Sequence, residues 1–106
     1  MDERNHPWTF LTNHAHVLMC VDQDNTVRIR DIARRVGITE RSAQTILRDL
    51  EDAGYISVTK TGRRNTYKVY TSRPLRHPLQ RGNTVADLLR ALSGGRRRRS
   101  PLPERT

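Results

Sequence analysis

Cysteine is nearly absent. Cys20 is the only one in 106 residues, so no internal disulfide can form. It sits in the apolar run Val17-Leu18-Met19-Cys20-Val21 and is expected to be a small buried hydrophobe. Aromatic residues make up only 5% of the chain. No apolar stretch approaches the roughly 20 residues that span a bilayer, so no membrane association is expected. The first residues include Asp2 and Glu3 and hold no apolar h-region, so no secretory signal is expected and a cytoplasmic setting is. His14 and His16 lie two apart, which places them on different faces of a helix. With a single cysteine and no nearby cluster of His and carboxylates, no structural metal site is expected. Asp22 and Asp24 flank a turn without calcium-loop spacing, and no Gly-rich phosphate loop occurs. Nor does any nucleophile, base and orienting group stand together in the sequence. No catalytic residues, no cofactor and no enzymatic activity are therefore expected.

Acidic residues are also in the minority, with 11 Asp and Glu against 20 Lys and Arg and a formal net charge of +9. The imbalance is uneven along the chain. Residues 1–25 hold one Arg and four acids, whereas residues 26–70 hold ten basic and five acidic side chains. Arg96 to Arg99 add a terminal basic run. More than half of the excess thus lies outside that run. A field of this kind favours polyanionic partners and raises their encounter rate.

The length allows one small domain with tails. Residues 1–7 read as a flexible arm. Trp8, Leu11, Ala15, Leu18 and Met19 follow helical spacing, with Phe10, Val17 and Val21 broadening the stripe, so a helix is expected over 8–21. Asp22 to Asn25 read as a turn. Thr26 to Arg30 alternate, which suggests a short strand or extended approach. Asp31 to Val36 form a short helix, and Gly37 suits the left-handed position that ends it. Thr39 suits a helix cap. Ala43, Ile46, Leu47 and Leu50 then line one side of a longer helix that Gly54 ends. Residues 55–60 and 66–70 are β-prone, and the basic segment Thr61-Gly62-Arg63-Arg64-Asn65 joins them as a hairpin. Residues 71–82 read as a connector. Thr84 and Asp87 resemble a capping box for a helix over 83–93, whose stripe Val85, Leu88, Leu89 and Leu92 either folds back on the domain or meets another subunit. Gly94 and Gly95 are expected to release a basic disordered tail, 94–106.

The pair of helices within Asp31 to Ala53 has the pattern of a helix-turn-helix. Ala33 keeps the two helices close, Gly37 permits the turn without a Cβ penalty, and Val36, Ile38 and Ile46 fill the angle between them. The second helix of such a unit enters a major groove. Removing its buried stripe leaves Glu40, Arg41, Ser42, Gln44, Thr45, Arg48 and Asp49 outside. Gln matches adenine and Arg matches guanine in bidentate geometry, so Arg41, Gln44 and Thr45 are the expected base contacts. Thr39, Ser42, Arg48 and Lys60 are expected on the DNA backbone. Glu40 and Asp49 oppose phosphate, so part of the outward surface does not face DNA. Arg63, Arg64 and Asn65, beside Gly62, suit a backbone or narrow minor-groove contact. Arg28, Arg30, Arg34 and Arg35 add charge near the first helix of the pair, in a direction the sequence leaves open.

The motifs RDIARRVGITERSAQTILRDLEDAGYI and GRRNTYKV, within Thr26 to Val69, resemble winged helix-turn-helix transcriptional regulators of the MarR-like and related small actinobacterial kinds. The resemblance implies a mainly α fold with a small antiparallel β-hairpin, in the order α, short β, α, α, β, wing, β. It implies a winged helix-turn-helix domain over 8–70, a recognition-helix role for Thr39 to Ala53 and a wing role for Gly62 to Asn65. Similar proteins bind operator DNA, commonly as dimers, and often change transcription in response to a signal. A homodimer would use the helix over 8–21, the helix over 84–92, or both. The stretch PLRHPL, Pro74 to Leu79, is similar to part of a small regulator subgroup and has the look of backbone anchoring.

The leading expectation is a sequence-specific regulator that binds double-stranded DNA. A protein-interaction module on the same fold remains an alternative, since fold alone does not decide function. So does an RNA-binding accessory protein, although a helix that reads a groove is better matched to B-DNA than to A-form RNA.

Overall fold

A computed structural model of the chain describes residues 8–98. The elements are α1 (Asn13–Gln23), α2 (Ile29–Val36), α3 (Glu40–Asp52), β1 (Ile56–Thr61), β2 (Arg64–Val69), a 3-10 turn (Pro78–Gln80) and α4 (Val85–Arg98). They fall into two compact units that divide after Val69. The expected arm, 1–7, and the tail from residue 99 onward lie outside the described residues. No helix among the described residues is long and apolar enough to cross a membrane.

In the first unit the three helices pack on one another, and the hairpin closes the cluster through α1 against β2 and α3 against β1. Each helix contributes the stripe that its spacing dictates. Val17, Leu18, Cys20 and Val21 come from α1, Ile32 and Ala33 from α2, and Ala43, Ile46, Leu47 and Leu50 from α3. Ile56 and Tyr67 supply the inner face of the hairpin. Two strands alone would be marginal, and this packing is what stabilises them. The hydroxyl of Tyr67 is buried and has no hydrogen-bond partner. Cys20 is buried as expected, and that burial pushes its thiol pKa up against a smaller opposing effect of Arg35.

Three local expectations are corrected in this unit. Helix α1 starts at Asn13 rather than Trp8, because the Thr12 hydroxyl caps it by accepting from the Ala15 amide at 3.3 Å. Trp8 and Phe10 therefore stand outside the core, 76% and 91% exposed, in edge-to-face contact with each other. No strand forms at Thr26 to Arg30. The Asp24 carboxylate takes both the amide and the hydroxyl of Thr26 at 3.1 Å, and helix α2 already begins at Ile29. The apparent alternation came from a buried loop residue, Val27, followed by the first inward residue of a helix. A single backbone bond, from the Tyr67 amide to the Asn25 carbonyl at 2.8 Å, ties this loop to β2. The hairpin loop is also shorter than expected. Thr61 pairs with Arg64, leaving only Gly62 and Arg63 between the strands. Gly62 has φ of 63°, which suits the first position of a tight two-residue hairpin turn.

The second unit gives the PLRHPL stretch a structural role. Pro74 bridges Thr84 in antiparallel fashion, and the Leu75 amide donates to the Asn83 carbonyl at 3.0 Å. His77 caps the 3-10 turn by accepting the Leu79 amide on Nδ1. The capping box forms as expected at the start of α4: the Thr84 amide donates to Asp87, and the Asp87 amide donates to the Thr84 hydroxyl. Helix α4 continues through Gly94 and Gly95 to Arg98, where the glycine pair was expected to end it. Each glycine costs about 1 kcal/mol in a helix interior, which the good helix formers on either side offset, and no proline intervenes before Pro101.

The Thr84 amide holds the Asp87 carboxyl below its ordinary value, aided by the Arg90 guanidinium at 3.2 Å. A carboxyl lowered by folding stabilises the folded form above its unfolded value and loses that effect as pH falls through the folded one. Acidification below the ordinary carboxylate range is thus expected to fray the start of α4. An NMR pH titration of the Thr84 and Asp87 amides checks this, with Asp87→Asn removing the transition.

Candidate nucleic-acid interface

The geometry of the interface follows from one turn. The Gly37 amide donates to the Ala33 carbonyl at 2.8 Å, and the Ile38 amide donates to the same carbonyl at 3.0 Å. Gly37 takes φ of 86°, a conformation that costs most L residues strain, while its Cβ position is open space. The constraint is therefore conformational and not steric. Two residues later Thr39 caps α3. Its hydroxyl accepts from the Ser42 amide and donates to the Ser42 hydroxyl, each at 3.0 Å. The three-residue turn, Gly37 to Thr39, thus hands the chain from α2 to α3 with both helix ends satisfied.

With Ala43, Ile46, Leu47 and Leu50 buried, α3 presents Arg41, Ser42, Gln44, Thr45 and Arg48 to solvent. All of these expected contact residues are exposed, as is Thr39 at the cap. Arg41, Ser42 and Thr45 share a shallow concavity of about 570 Å³ with Asn13 and His14 of α1. The rim also carries Asp49. Its carboxylate lies 2.8 Å from His14 Nε2, with both side chains about half exposed. No local sequence pattern signals this contact, because 35 positions separate the two residues.

A second cleft, of about 330 Å³, opens between the loop before α2, the first turn of α3 and the hairpin. Arg28, Arg30, Arg63 and Arg64 line it, together with Glu40, Asn65 and Tyr67. The four arginines whose direction the sequence left open are thereby sorted. Arg28 and Arg30 line the basic cleft. Arg34 pairs with Asp31 at 3.0 Å on its own helix, and Arg35 donates to Gln23 of α1 at 2.6 Å. Arg63 stands in the hairpin turn. Arg64 is the first residue of β2, and its guanidinium donates to the Thr26 carbonyl at 3.1 Å. It fastens the hairpin to the loop that carries Arg28. Lys60 is exposed near the end of β1, opposite half-buried Asn65.

Among the described residues no three His, Cys, Asp or Glu side chains come together as a metal ion requires.

Residues 12–62 match the model of the MarR family. The match runs from the α1 cap to the hairpin turn and leaves Arg63 to Asn65 just beyond it. No curated protein matches the chain. Among solved structures, the chain is similar to a Mycobacterium tuberculosis MarR family protein crystallised in complex with salicylic acid. The identity is 21%, over 87% of this chain and 67% of that one, with a TM-score of 0.51. It is also similar to AdcR, a zinc-dependent MarR family transcriptional regulator in its Zn(II)-bound state. There the identity is 14%, over 92% of this chain and 66% of that one, with a TM-score of 0.47. The chain spans about two thirds of the length of both. The first likeness is one of fold: the order of helices and hairpin is that of a winged helix.

Proposed function

We propose, from the MarR-family segment that residues 12–62 form, that the chain is a sequence-specific transcriptional regulator that binds double-stranded DNA. One observation carries this reading. Helix α3 is held by four buried apolar residues while its opposite side, beginning at a capped N-terminus, is polar and open to solvent. A helix so presented fits a B-DNA major groove about 12 Å wide. Arg41, Gln44 and Thr45 are the base contacts in this reading, and Thr39, Ser42, Arg48 and Lys60 meet the DNA backbone. The basic cleft extends the footprint toward the hairpin, where Arg63, Arg64 and Asn65 act as a wing. Two copies, associating through the α1 region or α4, would place two recognition helices roughly 34–36 Å apart on adjacent half-sites.

Selection of bound duplexes from a random library tests the reading directly. Recovery of one consensus supports it, and recovery of no enriched sequence by a folded protein ends it. Phosphate contacts release counterions, so affinity for the selected duplex falls with salt. Arg63→Ala is expected to weaken selected and scrambled duplexes alike and to reduce the salt slope by about 1. Arg64→Ala is expected to do the same and also to loosen the loop at Thr26, visible as faster amide exchange at Tyr67. Binding isotherms at several salt concentrations check both.

A further inference from the structure

We infer that His14 is a positioning residue of the DNA-binding face: it holds the Asp49 carboxylate, and protonation of its imidazole strengthens duplex binding. The inference rests on the DNA-binding reading of α3 given above. Asp49 is an acidic group on the outward side of that helix, at the rim of the concavity shared by Arg41, Ser42 and Thr45. A bare carboxylate there repels every phosphate that the neighbouring arginine attracts. The structure answers that charge with an imidazole from another helix. His14 Nε2 lies 2.8 Å from Asp49 Oδ2, and the two side chains remain 47% and 54% exposed.

An ion pair this exposed does little for folding. Its consequence is for the ligand. With a neutral imidazole the pair carries one negative charge. With an imidazolium it carries none, and the cation stands where a polyanion docks. Histidine is the side chain whose charge changes between about pH 5 and 8. The charged groups in the concavity are Asp49 and Arg41, both from α3; Asn13, Ile38, Ser42, Thr45 and Ile46 complete it without charge. An approaching phosphate backbone attracts an imidazolium and not a neutral imidazole, so duplex binding is linked to proton uptake at this pair. By linkage, affinity then rises as pH falls through the histidine range. The other described histidines serve as controls. His16 Nδ1 meets Asn13 at 3.2 Å, and His77 caps the 3-10 turn.

The test measures Kd for a selected duplex by fluorescence anisotropy from about pH 6 to about pH 8 at fixed ionic strength. Wild type is expected to tighten about fivefold toward acid. His14→Gln, which keeps an N–H donor for Asp49 but cannot gain charge, is expected to be flat. His16→Gln and His77→Gln should keep the wild-type slope. Asp49→Asn should bind more tightly than wild type at the alkaline end, because the repelling charge is gone. A wild-type affinity that is specific yet flat with pH overturns the inference alone, as does a slope that survives His14→Gln. A folded wild type that retains no duplex at any pH overturns the DNA-binding reading, and the inference with it.

Discussion

Ile32→Ala is expected to lower the unfolding free energy by about 2–5 kcal/mol, the largest effect of any single core truncation in the helical unit. Ile32 is 0% exposed and sits on α2, which packs against both α1 and α3. Truncation removes three carbons from a site whose neighbours are themselves fixed. Val17 and Val21 on α1 and Ala43 on α3 are also fully buried, so little can move in to fill the space. Domains of this size have a total stability of about 5–15 kcal/mol, and the loss is a large share of it. Urea unfolding followed by circular dichroism measures the change, with Gln44→Ala as an exposed control expected to stay within about 0.5 kcal/mol of wild type. A loss under about 1 kcal/mol would mean that the three helices do not converge on Ile32. The functional consequence is direct. The open side of α3 is presented in one orientation only because the other side is locked, so in the proposed DNA-binding reading a looser core weakens duplex binding without any proposed contact residue being touched.

The helix-turn-helix was legible because its signals are local and redundant. The spacing of Ala43, Ile46, Leu47 and Leu50, a left-handed glycine at 37 and a capping hydroxyl at 39 all point to one geometry. Agreement between levels of this kind marks a strongly specified segment. Expectation and structure part where a local pattern continues past a competing hydrogen bond. Apolar spacing ran back to Trp8, but the Thr12 cap decides where α1 begins. Alternation at 26–30 looked like a strand, but the Asp24 carboxylate makes a turn there. The five-residue loop expected between the strands came from counting the polar residues Arg64 and Asn65 as loop. Cross-strand pairing takes both into β2, which is possible because an edge strand with one face in solvent tolerates charge. What no local pattern holds is contact between distant positions. The approach of His14 to Asp49 and the fastening of Arg64 to Thr26 span 35 and 38 positions, and both arise only once α1, α3 and the hairpin have packed.

Arg41→Ala and Gln44→Ala are each expected to cost about 1–3 kcal/mol of discrimination between the selected duplex and a scrambled one. The reason lies in how the two side chains are held. Both are exposed on a helix fixed at its cap by Thr39 and along its length by its buried stripe, so their Cα positions are set before DNA arrives. Neither substitution touches the core, and helix propensity favours alanine at both sites, so fold stability should hold. The two variants differ in one respect. Arg41 carries charge, and its loss is expected to lower affinity for any duplex and to flatten the salt dependence somewhat. Gln44 is neutral, and its loss should reduce preference for the selected sequence while leaving the salt slope unchanged. The positions lie three apart on one helix, so their effects on separate base pairs should add approximately, and the double variant should lose most of the preference. Competition binding with selected and scrambled duplexes measures the ratio. A double variant that still prefers the selected duplex as strongly as wild type would remove base reading from these side chains. The preference would then have to come from DNA shape sensed by the basic cleft between Arg28 and Arg63, where arginine in a narrow minor groove discriminates without touching a base edge.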